Sequence, residues 1–145
     1  MTEAKSVSSE LKSLSNFIKR FADRKLDEFG DRQLTPMQVG ILVYLYQHRE
    51  KELFQRDIEQ RFSIRRSTAT SILKIMEKKN LITRKTVSYD ARLKQIFLTS
   101  EALELQEKAS AAFHELERQL TKEISEEELT VFFDVIEKMK QNIES

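Results

Sequence analysis

At 145 residues, with 34% charged and 39% hydrophobic residues, the chain has the size and make-up of one folded, charge-coated domain. Absence of Cys excludes disulfides, thiolate metal sites and thiol switches, and two Gly with one Pro exclude a linker-rich protein. The net charge of +1 hides a segregation: residues 1–50 carry +1, residues 51–100 carry 12 Lys/Arg against 5 Asp/Glu, and residues 101–145 carry 5 against 12. A basic middle invites a polyanion, unless the acidic end neutralises it within the fold. No apolar run approaches the ~20 residues of a membrane span, and the first residues lack a signal-peptide core, so the expected compartment is the cytoplasm.

In chain order, Leu11, Leu14, Ile18 and Phe21, with Phe17 beside them, make one apolar stripe on a first helix ending near Gly30. Thr35-Pro36-Met37-Gln38 announces a second helix, with Thr35 as cap, Pro36 at the first position and Gln38 closing a capping box. Its body, Val39 to Tyr46, is apolar nearly all round and therefore central; Gly40 within it permits close approach of another helix. After a polar break at 47–52, Leu53-Phe54 is too short to stand as a strand alone. Two short helices follow, one around Ile58 and Phe62, the next with Ala69, Ile72, Leu73 and Met76 facing inward. That is a helix-turn-helix, and Asn80 ends it where a left-handed residue is needed. Leu81–Val87 and Leu93–Thr99 read as strands around a polar tip, Ser88 to Arg92. From Ser100 a helix carries Leu105, Ala109, Ala112, Leu116 and Leu120; Ser125 starts another with Leu129, Phe132, Ile136, Met139 and Ile143. The stripes at both chain ends call for a helical dimer built from the first and last segments.

Asp90-Ala91-Arg92-Leu93-Lys94-Gln95-Ile96-Phe97-Leu98-Thr99 matches the wing signature D-x-R-x-x-x-x-x-L-T of MarR-family transcriptional regulators. Ser67 to Ile82 resembles that family's recognition helix running into its first wing strand, and Leu34-Thr35-Pro36-Met37-Gln38 is similar to the start of its second helix. Two departures are Phe54, where relatives often carry a Thr cap, and Asn80 in place of a common Gly. The resemblance implies a mainly α fold with a small β-hairpin. Residues 31–99 would form a winged helix-turn-helix DNA-binding lobe, and 1–30 with 100–145 a dimerisation lobe. It further implies a homodimer on pseudo-palindromic double-stranded DNA, usually a repressor.

Arg65, Arg66, Ser67, Thr68, Thr70, Ser71 and Lys74 lie on the outer face of the second short helix. Short hydroxyls allow close approach to a major groove, while Arg and Lys reach phosphates or guanine edges. Arg92 at the hairpin tip suits the negative minor groove of A·T-rich DNA. Asp90 would be repelled by DNA, so its expected work is to bond the tip backbone or Arg92; Arg84, Lys85 and Lys94 are candidate phosphate partners. Gln55 and Arg56 begin the third helix, where a positive dipole end can meet a phosphate. The alternative for all of these is an ordinary solvated, charged surface.

The resemblance also implies a small-molecule site in many relatives. Phe17, Phe21, Tyr44 and His48 are the candidates to line one for an aromatic or phenolic effector, against the commoner fate of packing. His48 and His114 lack zinc-ligand spacing, so no metal or cofactor is expected. Without a Cys nucleophile, a phosphate-cradling Gly loop or a His-centred triad, an enzyme is the poorest reading. The competing one is a helical protein-interaction module, an adaptor or antirepressor that does not bind DNA itself.

Overall fold

The computed structural model describes residues 4–26 and 34–144, apart from the Leu26 side chain. The elements run α1 (Val7–Leu26), α2 (Pro36–Gln47), α3 (Gln55–Phe62), α4 (Arg66–Lys78), β1 (Ile82–Val87), β2 (Asp90–Leu98), α5 (Ser100–Thr121) and α6 (Glu126–Glu144). They divide into two compact units, Met1–Phe113 and His114–Ser145. Gly30, where the first helix was expected to end, lies outside the described residues.

In the first unit α2 is the centre. Thr35 Oγ1 accepts the Gln38 N–H at 3.2 Å and Gln38 Oε1 accepts the Thr35 N–H at 3.1 Å, closing the expected capping box. Ile41, Leu42, Val43 and Leu45 are then buried together with Ile58, Leu73, Met76, Leu81, Ile82 and Ile96. A Cβ on Gly40 would stand 3.2 Å from Phe62 Cε1, so the glycine lets the last turn of α3 press its ring onto α2.

The turn between α3 and α4 is made by Ser63 in the left-handed region, φ 52°. At the other end of α4, Asn80 adopts φ 59°. The Asn80 N–H donates to Glu77 O and the Leu81 N–H to Met76 O, both at 3.0 Å, while Leu81 and Met76 are both fully buried. This is a Schellman stop with its apolar contact, and Asn performs the role that Gly fills elsewhere.

The hairpin pairs antiparallel in the register Ile82↔Leu98 to Thr86↔Lys94, then jumps to Val87↔Asp90. Spacing in the sequence starts the second strand at Leu93; in the structure it starts at Asp90. The reason is a two-residue turn, Ser88-Tyr89, after which residues 91–93 form a bulge. Leu81 and Thr99, expected at strand ends, instead serve helix ends. Thr99 Oγ1 accepts the Ala102 N–H at 3.1 Å, starting α5, and donates to Asn80 O at 2.7 Å. Leu53, which cannot make a strand alone, receives the Ile96 N–H on its carbonyl at 2.8 Å and docks on β2.

In the second unit α6 begins with a reciprocal Ser125–Glu128 capping box, both bonds 3.1 Å. No α6 side chain is buried, and Phe132, Phe133, Val131 and Ile143 are exposed. In the first unit Leu11, Leu14 and Phe17 of α1 are exposed likewise.

Leu73 is wholly enclosed, so Leu73→Ala is expected to cost about 2–5 kcal/mol through lost transfer energy and a cavity. Urea titration checks it: the midpoint falls while the slope is unchanged.

Candidate nucleic-acid interface

Burial of Ala69, Leu73 and Met76 on one side of α4 turns Arg65, Arg66, Ser67, Thr68, Ser71 and Lys74 to solvent on the other. Thr70 is the exception. It is half-buried, its hydroxyl donates to Arg66 O at 2.9 Å, and it accepts the Gln55 side-chain amide at 2.9 Å. Gln55 also lies within 3.3 Å of Arg66 O and Glu59 Oε2. Gln55 and Thr70 are thus engaged with each other, locking the start of α3 to the first turns of α4. The far end of α4 is gripped from α2, where buried Gln38 accepts the Lys79 ammonium at 3.1 Å. Nothing in the sequence pattern singles out Lys79; the only signal was that Gln38 caps a helix and has lone pairs to spare.

The wing is organised around Asp90. Its carboxylate accepts the Arg92 N–H at 2.9 Å and the guanidinium Nε and Nη2 at 3.2 and 3.3 Å. The Arg92 side chain is 89% exposed, so one edge of the guanidinium is held by Asp90 while the rest faces water. Arg92, first through its side chain and then through its backbone N–H, holds the Asp90 carboxyl below its ordinary value of 3.8. Arg84 is ion-paired with Glu77 of α4 and mostly covered, which fastens the wing's first strand to the helix. Lys85 stands over the Phe97 ring at 5.7 Å, and Lys94 is exposed.

These positions, far apart in sequence, converge. A cleft of about 380 Å³ opens between α3, α4 and the wing, lined by Arg56, Arg66, Arg84, Arg92 and Lys94, with Glu59 as its one carboxylate. Cations outnumber carboxylates in this lining, and an excess of one sign in a concave site raises the local field.

The effector candidates fall into two sets. Tyr44 and His48 meet at 4.5 Å between ring centroids, with His48 Nδ1 3.0 Å from Tyr44 O and Phe62 edge-on to Tyr44. Burial pushes the Tyr44 hydroxyl above its ordinary 10.0, with the Asp57 charge adding to the rise. On α1, Phe17 lies under the Arg20 guanidinium and Phe21 under Arg24 and Lys25. Among the described residues, no group of three or more His, Asp or Glu could hold a metal ion, and no helix is long and apolar enough to cross a membrane.

Residues 32–93 match the sequence model of the MarR family. The chain is 33% identical to the transcription regulator MarR from Oenococcus oeni PSU-1, over 94% of this chain and 99% of that one, with a TM-score of 0.82. It is 31% identical to MepR of S. aureus in a MepR–DNA complex, over 95% and 96% of the two chains, with a TM-score of 0.84. Heme-free PefR, 24% identical over 95% and 100%, with a TM-score of 0.74, shares the fold.

The Asp90–Arg92 clasp has a definite pH dependence. A carboxyl with a lowered folded-state value contributes order above 3.8 and loses it as pH falls through that lower value. Carboxyl-carbon NMR is expected to show Asp90 titrating below 3.8 in the wild type and moving part of the way up in Arg92→Ala, where the backbone N–H at position 92 still donates to the carboxylate.

Proposed function

Since the chain belongs to the MarR family of transcription regulators, we propose that it is a homodimeric repressor that binds a pseudo-palindromic operator. The observation that carries this reading is the cationic cleft, where Arg56 of α3, Arg66 of α4 and Arg84, Arg92 and Lys94 of the wing share one groove. A duplex laid there meets α4 in its major groove, with Ser67, Ser71 and Lys74 toward base edges. The wing then sends Arg92 into the neighbouring minor groove. Arg56, Arg66 and Lys94 take phosphates, which position without reading sequence. Two copies related by a two-fold axis place their α4 helices in successive major grooves, about 34 Å apart. A repressor acts in the cytoplasm, where its operator lies.

The exposed apolar rows support the dimer. Leu11, Leu14 and Phe17 on α1, and Phe132 and Ile143 on α6, are too many apolar side chains to leave in water on two helices. A small aromatic or phenolic effector that releases the operator must prefer a dimer in which the two α4 helices are mis-spaced, because equal affinity for both states shifts nothing. The Tyr44–His48 face of α2 is the surface offered for it.

Selecting bound fragments from the source genome supplies the operator, and fluorescence anisotropy on that duplex tests the reading. Arg92→Ala is expected to weaken binding about tenfold and to flatten A·T preference at the wing's positions. Lys94→Ala should weaken binding evenly across sequences and reduce the slope against log salt by about 1. No salt-sensitive DNA binding, with a stable complex to another polypeptide instead, would overturn the reading. Phe132→Asp is expected to shift sedimentation from dimer to monomer and to cut affinity for the full operator far more than for a half-site.

A further inference from the structure

A side-chain bond ties the turn at the end of the wing to the body. The Tyr89 hydroxyl donates to Glu52 Oε2 at 2.8 Å, across 37 positions of sequence. Tyr89 is 62% exposed and so adds little to the core. Glu52 stands on firm ground: it precedes buried Leu53, whose carbonyl takes the Ile96 N–H at 2.8 Å, and buried Phe54, whose N–H is held by Asp57 at 2.8 Å. On the other side of the bond, Tyr89 is followed directly by Asp90, which clasps Arg92. Between these two anchorages the ladder is interrupted, because the register breaks after Thr86 and residues 91–93 bulge. A two-stranded ribbon with a broken ladder has little stiffness of its own. The side-chain tie supplies what the missing pairs do not.

We propose that Tyr89 and Glu52 are positioning residues for operator recognition: their bond sets how far, and at what angle, the wing carries Arg92 away from α4. The proposal rests on the reading of Arg92 as the minor-groove contact. The distance between that contact and the major-groove contacts of α4 decides which base pairs of each half-site are sensed by shape. A loose wing still reaches phosphates, which are everywhere along the duplex, but loses its fixed address among the bases. Loss of the tie therefore falls on discrimination more than on total affinity. The hydrogen bond to Glu52 holds the Tyr89 hydroxyl above its ordinary 10.0.

The test compares wild type, Tyr89→Phe, Glu52→Ala, Glu52→Gln and the Tyr89→Phe/Glu52→Ala double variant, each alone and combined with Arg92→Ala. Two operator duplexes are used, with A·T or G·C pairs at the positions under the wing, and thermal melts by circular dichroism verify folding. Tyr89→Phe and Glu52→Ala are each expected to lower the A·T over G·C preference about threefold, the size of an exposed, charge-assisted tie. The double variant should lose no more than either single one. Glu52→Gln, whose amide oxygen still accepts the hydroxyl, should keep most of the preference, and in the Arg92→Ala background none of the changes should matter. Tyrosinate absorbance should show one tyrosine titrating earlier in Glu52→Ala than in wild type. If Arg92→Ala loses the preference while Tyr89→Phe keeps it, the tie is idle and the wing reading survives. Equal losses from Tyr89→Phe with and without Arg92 would mean that Tyr89 acts on DNA directly, which overturns the positioning role. If Arg92→Ala keeps the full preference, the wing reading fails and the tie falls with it.

Discussion

The first unit depends on the inward row of α4: Leu73 and Met76 are sunk into the core that holds α2, and Ala69 on the same side is fully buried. A 13-residue helix is marginal alone, so its stability comes from this one face and from its ends. The opposite face is thereby released from any packing duty. It can carry Ser, Thr, Arg and Lys, residues of middling or exposed habit, and present them to a partner. Both ends are secured by side chains from other elements, Gln55 on Thr70 and Gln38 on Lys79, so the face is held in direction as well as in existence. Fixed direction matters because a helix read by a DNA groove must arrive at a set angle.

The wing poses the opposite problem. Two strands in isolation are hardly stable in water, and this pair is bent by a bulge. Its base is nevertheless closely held. Leu53 adds a single backbone bond to β2, Thr99 joins the end of β2 to Asn80 beyond α4, and Arg84 joins β1 to Glu77. Each connection ends on α4, on the residues just after it, or on the segment leading into α3. Motion of the helix-turn-helix is therefore transmitted to the hairpin base, and the hairpin cannot be displaced as an independent arm without breaking side-chain bonds to the helix.

What could be read from the chain before the structure was local chemistry. Thr35-Pro36-Met37-Gln38 and Asn80 after an amphipathic run are signals contained within a few residues, and each forms the cap it suggests; Ser125 starts its helix as read, and the structure adds its box with Glu128. The rows of α4 were equally plain, because a period of 3.6 needs no partner to be visible. The pairings that orient the candidate site were not legible. Gln55 meets Thr70, Lys79 meets Gln38 and Tyr89 meets Glu52, at separations of 15, 41 and 37 residues. Such contacts arise only once the helices are packed. Thr70 shows the consequence: its type and place suggested a groove-facing hydroxyl, but the neighbouring helix supplies a donor that claims it. The first residue of β2 was misplaced for a related reason, since a polar Asp-Ala-Arg stretch looks like loop until the turn before it is known.

The charge pattern acquires a mechanical meaning from these contacts. Residues 51–100 hold five carboxylates, Glu52, Asp57, Glu59, Glu77 and Asp90. Every one of them accepts a hydrogen bond from within the unit: Tyr89 for Glu52, the Phe54 N–H for Asp57, Gln55 for Glu59, Arg84 for Glu77 and Arg92 for Asp90. Two of these bonds fasten the wing to the rest of the unit, Glu77 to Arg84 and Glu52 to Tyr89; the other three shape the start of α3 and the wing's tip locally. A carboxylate clasped to the Nε–Nη2 edge of Arg92 leaves the far side of the guanidinium to a second anion, because a planar fork of five donors is not exhausted by one partner. Negative charge at Asp90 and Glu77 is placed to aim the positive charge of Arg92 and Arg84, while the chain is nearly neutral because residues 101–145 carry the offsetting acidic excess.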